Sequence, residues 1–384
     1  MTPYKILIVH NAYQQRGGED SVVEAEISLL RAHGHEVATY FRNNDDIATM
    51  SNVAIGIQTL WSTKASTELT KLIAVFKPTV IHVHNTLPLI SPAIYWAASR
   101  AGVPVVQTLH NFRLTCLSAL YLRDGKVCED CVGHLPWRGV VHKCYRGSTA
   151  ASTVLAAMLT LHRGLGTYRH KVSRYIALND FCREKFIEGG LPTELIAVKP
   201  NFVDAPLPLN LPRQGILFVG RLSFEKGIAS LAKAATLLTD AQLRVVGDGP
   251  QAALLDGVRG VVCLGRLPAV NVLTEMNKSV AVVVPSICYE TFGMVIIEAF
   301  ATGTPVIASR IGALADIVTE GETGLLFEPG NAQDLANKLS WALAHPEQMA
   351  LMGSKARAVY EEKYTAEQNY KQLMSIYESV ISVK

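Results

Sequence analysis

Short apolar, β-branched runs alternate along this chain with longer stretches that repeat at helical spacing. Ile6–Val9 reads as a buried strand. Ser21–His33 then places Val22, Val23, Ala25, Ile27, Leu29 and Leu30 at helical spacing and stops at Gly34. Glu36–Phe41, Val80–Val83, Val105–Leu109 and Tyr175–Leu178 continue the strand series. Asn201–Gln214 is proline-rich, lacks any period and reads as a linker. Beyond it come strands at Ile216–Val219, Leu243–Val246, Gly260–Leu264, Val280–Val284 and Pro305–Ala308, with a helix over Gly227–Leu238. Helices at Asp334–Ala344, Pro346–Lys363 and Thr365–Val383 close the chain. Continuous apolar strands bounded by helices imply parallel sheets covered on both faces. The pattern predicts two doubly wound α/β domains, residues 1–205 and 206–364, with helix 365–384 crossing back to complete the first. A ligand is expected in the cleft between two such domains, at the carboxyl ends of the strands.

The 384 residues suit two domains, and 49% apolar content with a formal charge of +3 excludes a disordered chain. Seven cysteines, an odd number spread over this length, argue against a secreted disulfide framework. The start, Met1-Thr2-Pro3-Tyr4-Lys5, has no basic region followed by a long apolar core, and no apolar run reaches ~18 residues. The expectation is a cytoplasmic protein without signal peptide or membrane span. Charge is uneven: residues 1–205 hold 21 Lys/Arg against 16 Asp/Glu, and residues 206–384 hold 15 against 17. A +5 half beside a −2 half fits an anionic substrate or membrane surface, or simply a solvated basic face. Nucleic acid is not expected as a partner, since the basic stretch carries no recognised motif.

Candidate chemistry clusters at strand ends. After Ile6–Val9 the chain reads His10-Asn11-Ala12-Tyr13-Gln14-Gln15-Arg16-Gly17-Gly18-Glu19 and enters a helix. Gly17 and Gly18 there would let backbone N–H groups approach a phosphate; a plain tight turn is the alternative. Gly220-Arg221 and Lys226-Gly227 follow Ile216–Val219, so a planar fork and a point charge lie five residues apart, enough to balance a diphosphate. Gly247-Asp248-Gly249-Pro250 forms a turn with room for a flat group. Pro285-Ser286-Ile287-Cys288-Tyr289-Glu290-Thr291-Phe292-Gly293-Met294 leads into Val295-Ile296-Ile297-Glu298-Ala299. Glu290 and Glu298 are eight apart, and Phe292, Gly293 and Met294 would present N–H groups at a helix start.

This segment, with Ala299–Gly312 and Glu320–Phe327, resembles the signature of family-4 retaining glycosyltransferases of the GT-B fold. The resemblance extends over most of the chain and is weakest at 45–75 and 130–170. It implies a retaining hexosyltransferase that moves a sugar from a nucleotide diphosphate, UDP ahead of GDP, to a glycan, polysaccharide or lipid-linked acceptor. It assigns Arg221 and Lys226 to the diphosphate, Glu290 to the donor sugar and Glu298 to the ribose. Phe292, Gly293 and Met294 would contribute backbone contacts to the donor. Gly17 and Gly18 match the loop that closes on the diphosphate, and His110 matches a histidine beside the donor sugar. Many relatives have Asp after that histidine; here Asn111-Phe112-Arg113 follows, so no carboxylate acts at 111 and Arg113 becomes an added candidate. Catalysis would need no metal. His110, Glu290, Arg221 and Lys226 are the expected catalytic set, with no protein nucleophile assigned.

Cys116, Cys128, Cys131 and Cys144 lie within one stretch after His110, with His134 and His142 nearby. Four thiols have the ligand count of a structural zinc site, while reduced thiols or a redox pair at the C-x-x-C are the other readings. Ala150–Arg169 reads as a helix, lying on an anionic membrane as an amphipathic element or packed into the first domain. The competing functions are a GT-B epimerase acting on donor alone, and a non-catalytic adaptor that binds a sugar nucleotide.

Overall fold

The computed structural model describes residues 3–14, 17–209, 211–238 and 243–382. The chain divides into two compact units. The first comprises Met1–Tyr121, Glu129–Pro200 and Asn369–Lys384; the second comprises Leu122–Cys128 and Asn201–Gln368. The switch after the first unit therefore falls at Pro200, five residues before the expected 205.

In the first unit, β1 (Lys5–Ala12), β2 (Glu36–Asn43), β3 (Val80–Val83) and β4 (Val105–Thr108) join two later strands in one sheet. A two-residue hairpin, β5 (Leu122–Arg123) and β6 (Lys126–Val127), comes between and is grouped with the second unit. β7 (Arg174–Ala177) and β8 (Ile196–Val198) complete the sheet, in order β2-β1-β3-β4-β7-β8 with every pairing parallel. Ile6, Val80 and Val106 are fully or almost fully enclosed, because helices cover both faces. Helix Gly18–Ala32 supplies Val23, Ile27 and Leu30 to one face. Helix Ala366–Ile381 presents Leu373, Met374, Tyr377 and Val380 to the same cluster, although these residues follow the whole second unit in sequence.

The second unit repeats the plan with β9 (Ile216–Val219), β10 (Leu243–Val246), β11 (Val261–Gly265), β12 (Ala281–Val284), β13 (Val306–Ser309) and β14 (Gly324–Phe327). The order is β11-β10-β9-β12-β13-β14, again all parallel. In each sheet the strand order reverses beside the first strand of that unit: between β1 and β3, and between β9 and β12. Loops leaving carboxyl ends at such a reversal diverge and leave a crevice. The glycine loop follows β1, the Arg221–Lys226 loop follows β9, and the Glu290 loop follows β12.

Differences from the pattern are concentrated where apolar periodicity is weak. β8 and β14 are short edge strands next to turns, and they were not anticipated. Helices Asn52–Leu60 and Thr63–Phe76 occupy the stretch where the resemblance was weakest; each begins on a serine, Ser51 and Ser62, that accepts from the N–H three residues on. The helix expected over Ala150–Arg169 runs Thr149–Gly164 and turns into a short helix Thr167–His170. It buries Leu155, Met158, Leu159 and His162 and packs against helices Asn52–Leu60 and Trp137–Val141. Most of its apolar face is therefore used inside the unit, leaving Leu161 and Leu165 exposed. Among the described residues no helix is long and apolar enough to cross a membrane.

Candidate active site

The second unit assembles one group at the ends of β9 and β12. Lys226 lies in a short 3-10 turn, Phe224–Lys226, and its ammonium is 2.8 Å from Glu290 Oε1. Ser286 Oγ donates to the same carboxylate oxygen. Burial opposes charge on both partners of this pair. The mutual attraction outweighs it, holding the Lys226 pKa above and the Glu290 pKa below their ordinary values. Gly227 lets the loop sit this close: at φ 72° its built Cβ would lie 1.9 Å from Pro285 O, so any side chain would collide with backbone. Arg221 is exposed at the end of β9, and Asp248 in the neighbouring turn pairs with Arg266 at 2.6 Å.

Helix Met294–Ala301 begins at Gly293, whose φ of 80° turns the chain sharply out of the Glu290 loop. Gly293 and Met294 thus stand at the helix start, where N–H groups have no partner in the turn before them and the dipole favours an anion. Phe292 is buried and packs edge-on against Tyr364, so its ring serves the core while its backbone belongs to the helix entrance. Glu298 is the fifth residue of the helix. Burial pushes its carboxyl up to about 7.

In the first unit, the glycine loop is held by Asp20. Its Oδ2 accepts from Gly17 N at 2.8 Å, and its Oδ1 takes His10 Nε2 at 2.8 Å. Gly17 and Gly18 therefore sit at the start of helix Gly18–Ala32 in an ordered turn, while Gln15 and Arg16 lie outside the described residues. His110 follows β4 and pairs through Nε2 with His84 Nδ1 at 2.9 Å. Burial holds its pKa below the ordinary value and keeps the ring neutral. Asn111 caps the short turn Phe112–Leu114 by accepting from Arg113 N at 3.0 Å. Arg113 is engaged locally: it donates to Leu117 O and lies over the Tyr145 ring at 4.8 Å.

The four cysteines expected to hold zinc do not form a cluster. Among the described residues, Glu26, His82 and His84 are the one group of three or more whose ligand atoms lie within 4.8 Å of each other. Cys128 is grouped with the second unit, whereas Cys116, Cys131 and Cys144 belong to the first. Cys116 Sγ is 3.2 Å from Ser118 Oγ. The loop is fastened by charge instead: Lys185 Nζ is 3.0 Å from Glu129 Oε1, and Arg163 donates to His134 O at 3.0 Å.

Residues 16–206 match the family described as Glycosyltransferase Family 4, and residues 202–359 match the one described as glycosyl transferases group 1. The chain belongs to the family-4 glycosyltransferases. Its two sheets have the GT-B arrangement of this family. The structure superposes on sucrose-phosphate synthase from Thermosynechococcus elongatus with a TM-score of 0.73, 19% identity and coverage of 99% of this chain and 100% of that one. Against Anabaena HepE in complex with UDP-glucose the TM-score is 0.67, with 18% identity over 98% of this chain and 100% of that one. Among curated relatives, the sulfoquinovosyl transferase of Arabidopsis thaliana is 33% identical over 153 residues, 38% of this chain and 30% of that protein. The match to two curated glycogen synthases spans 44% of their length, so the chain covers less than half of these relatives.

Some neighbours of this family-4 site were not singled out by pattern. His10, Asp20, Glu26, His84 and Lys199 are all buried. Their signal was weak but present: His82 interrupts the apolar run Val80–Val83 and His84 follows it directly, and Glu26 falls on the apolar face of the first helix.

Proposed function

We propose that this family-4 protein is a retaining hexosyltransferase that uses a nucleotide-diphosphate sugar. The observation that carries the reading is the Lys226–Glu290 pair, 2.8 Å apart, at the two strand ends flanking the order reversal of the second sheet. Arg221 and Lys226 are assigned to the diphosphate, Glu298 to the ribose, and Glu290 and His110 to the transferred sugar. Phe292, Gly293 and Met294 offer backbone N–H groups to the donor, and Gly17 and Gly18 to its diphosphate. UDP is the favoured nucleotide, a preference supported by the UDP-glucose complex of the structural neighbour HepE.

In transfer with retention, the bond from the anomeric carbon to the diphosphate oxygen breaks as the acceptor oxygen forms its bond on the same face. The acceptor's proton passes to the leaving phosphate. Arg221, Lys226 and the helix starts lower the barrier by meeting the charge that grows on that phosphate. Holding the acceptor hydroxyl beside the anomeric carbon supplies proximity. No protein nucleophile is assigned, and none of these steps uses a metal.

A glycan or lipid-linked acceptor is proposed for the basic first half of the chain. A cavity of about 280 Å³ in the first unit supports an amphiphilic molecule. Ile55, Leu87, Pro88, Val154 and Leu155 line it, with Arg146 and Tyr145 alongside. Leu87 also lines the smaller cavity that includes His84, His110 and Arg113. An acceptor embedded in an anionic membrane would place the enzyme peripherally on the cytoplasmic face.

A panel of UDP- and GDP-sugars, with nucleotide release as the readout, tests the reading. Acceptor-dependent release from one donor supports it. Conversion of donor alone to an isomeric nucleotide sugar would establish the epimerase instead, and binding without turnover would establish the adaptor.

A further inference from the structure

Helices Asn52–Leu60 and Thr149–Gly164 pack together in the first unit and leave the cavity of about 280 Å³ beside their contact. Ile55, Leu87, Pro88, Val154 and Leu155 make its walls apolar, and Arg146 is the one charged residue among the described residues that line it. Gly56 keeps the space open. It lies inside helix Asn52–Leu60 with no left-handed φ, so the backbone does not require glycine there. Glycine weakens a helix interior relative to alanine. A Cβ at this position would meet only Val154 within 4 Å, and at 3.5 Å that is an ordinary contact. Neither conformation nor crowding calls for glycine, and its missing side chain leaves room against Val154.

Arg146 is exposed yet lines the cavity, so it stands at the opening. It lies over the Tyr145 ring at 5.4 Å and pairs with no carboxylate among the described residues. Helix Thr149–Gly164 starts at the same opening, where Ser148 and Ala150 line the cavity, and its first turn holds no acidic residue. The opening is therefore positive and the interior apolar. Outside the cavity, Val53 and Ile57 are exposed four residues apart on one helix, and Leu161 and Leu165 are exposed at the end of the other. Each pair is an apolar stripe of the kind that faces a bilayer. Hydroxyls of a glycan would lose their water against Ile55, Val154 and Leu155, whereas an apolar chain gains by entering.

We propose that this cavity binds the lipid of the acceptor, with an apolar chain between the two helices and its phosphate on Arg146. The inference rests on the transferase reading and deepens it by choosing a lipid phosphate over a free glycan. Gly56 sets the specificity by leaving room for the chain. Leu87 lines both this cavity and the one that includes His110 and Arg113, so the rest of the head group would extend past Leu87.

Titration calorimetry of the intact chain with hexyl, octyl and decyl phosphate, each below its micelle concentration, tests the site. Affinity should rise about fourfold per methylene, the effect of burying one CH₂. Gly56→Leu should flatten that series while its melting temperature stays at or above that of the wild type and its UDP affinity is unchanged. Arg146→Gln should weaken all three phosphates by about 10-fold or more and leave octanol binding as it was. A flat series in the wild type, or an equally steep one in Gly56→Leu, overturns the chain site. Displacement of decyl phosphate by equimolar inorganic phosphate overturns it too, since the anion alone would then account for binding. If Gly56→Leu does not fold, the wild-type series and Arg146→Gln still decide. Transfer to a water-soluble glycan that decyl phosphate does not inhibit would overturn the acceptor assignment while the transferase reading stood. A steep, Arg146-dependent series in a protein that releases nucleotide from no donor would instead overturn the transferase reading while the lipid site stood.

Discussion

Lys226 Nζ and Glu290 Oε1 meet at 2.8 Å across two loops that are 64 positions apart in the chain. The pair places a cation and a carboxylate of the proposed donor site in one rigid group. Lys226→Ala would remove the proposed phosphate contact and leave Glu290 without its counter-charge. The expected result is a fall in kcat/KM of about 100-fold or more, as for loss of one group that meets transition-state charge. Steady-state kinetics with the best donor checks this. Glu290→Gln should also be strongly impaired, and near wild-type turnover by that variant would remove Glu290 from the site.

Glu298 should give the proposed donor site a pH dependence. Ribose hydroxyls donate into a carboxylate, so the ionised form binds the donor better. Its carboxyl is pushed up to about 7, so protonation sets in as pH falls through 7. The apparent donor KM should therefore be flat above pH 8 and rise towards pH 6. The same carboxyl ionises more readily in the unfolded chain, so its contribution to stability is fully present below about 4.5 and is lost as pH rises through about 7. A Glu298→Gln enzyme should have a higher KM and lose this slope. An unchanged slope in that variant would assign the titration to another group.

Gly227→Ala should damage folding and binding together. The substitution puts a Cβ where Pro285 O already lies, at a φ of 72° that side chains rarely adopt. A loss of about 2 kcal/mol or more is expected for such a left-handed, crowded position. Thermal unfolding and nucleotide titration calorimetry measure the two effects. A wild-type melting temperature with intact UDP affinity would show that the loop yields.

Leu373→Ala, in the last helix, should destabilise the first unit by about 2–4 kcal/mol, the usual cost of emptying a fully enclosed leucine site. Tyr377→Phe should cost about 1–2 kcal/mol, because it strips the partner from buried His82 Nδ1. Denaturant titration followed by fluorescence checks both, and the leucine variant should be the weaker of the two.

Chelator treatment should leave the melting curve unchanged and reductant-purified protein should carry essentially no zinc. Within the Cys116–Cys144 stretch, Glu129 pairs with Lys185 and His134 O accepts from Arg163. Lys185→Met should therefore lower the melting temperature more than any single Cys→Ser substitution in the stretch.

Most of the scaffold was legible because strand cores such as Ile6–Val9 and Ile216–Val219 are enclosed on both faces and so read as unbroken apolar runs. Helix Pro346–Lys363 was legible to the residue, since a proline opens it. Edge strands Ile196–Val198 and Gly324–Phe327 were not: at three or four residues they differ little from an apolar turn. The donor motif was readable because loops at strand ends keep their chemistry contiguous in sequence. The support beneath His110 was not, since Glu26, His84 and Lys199 are separated by 58 and 115 positions and meet only through the sheet. The four cysteines had the ligand count for zinc, but among the described residues they form no group of three whose ligand atoms lie within reach of one metal.

The return of helix Ala366–Ile381 to the first sheet also sets an order of events during synthesis. The second unit is complete once Gln368 has emerged from the ribosome, while the first still lacks Leu373, Met374, Tyr377 and Val380 from its core. Although translated first, the amino-terminal half is the last to be sealed. His82 beneath the proposed sugar-contacting histidine gains its tyrosine partner only in that final step. A nascent or prematurely terminated chain would thus carry a finished second unit joined to an open first one.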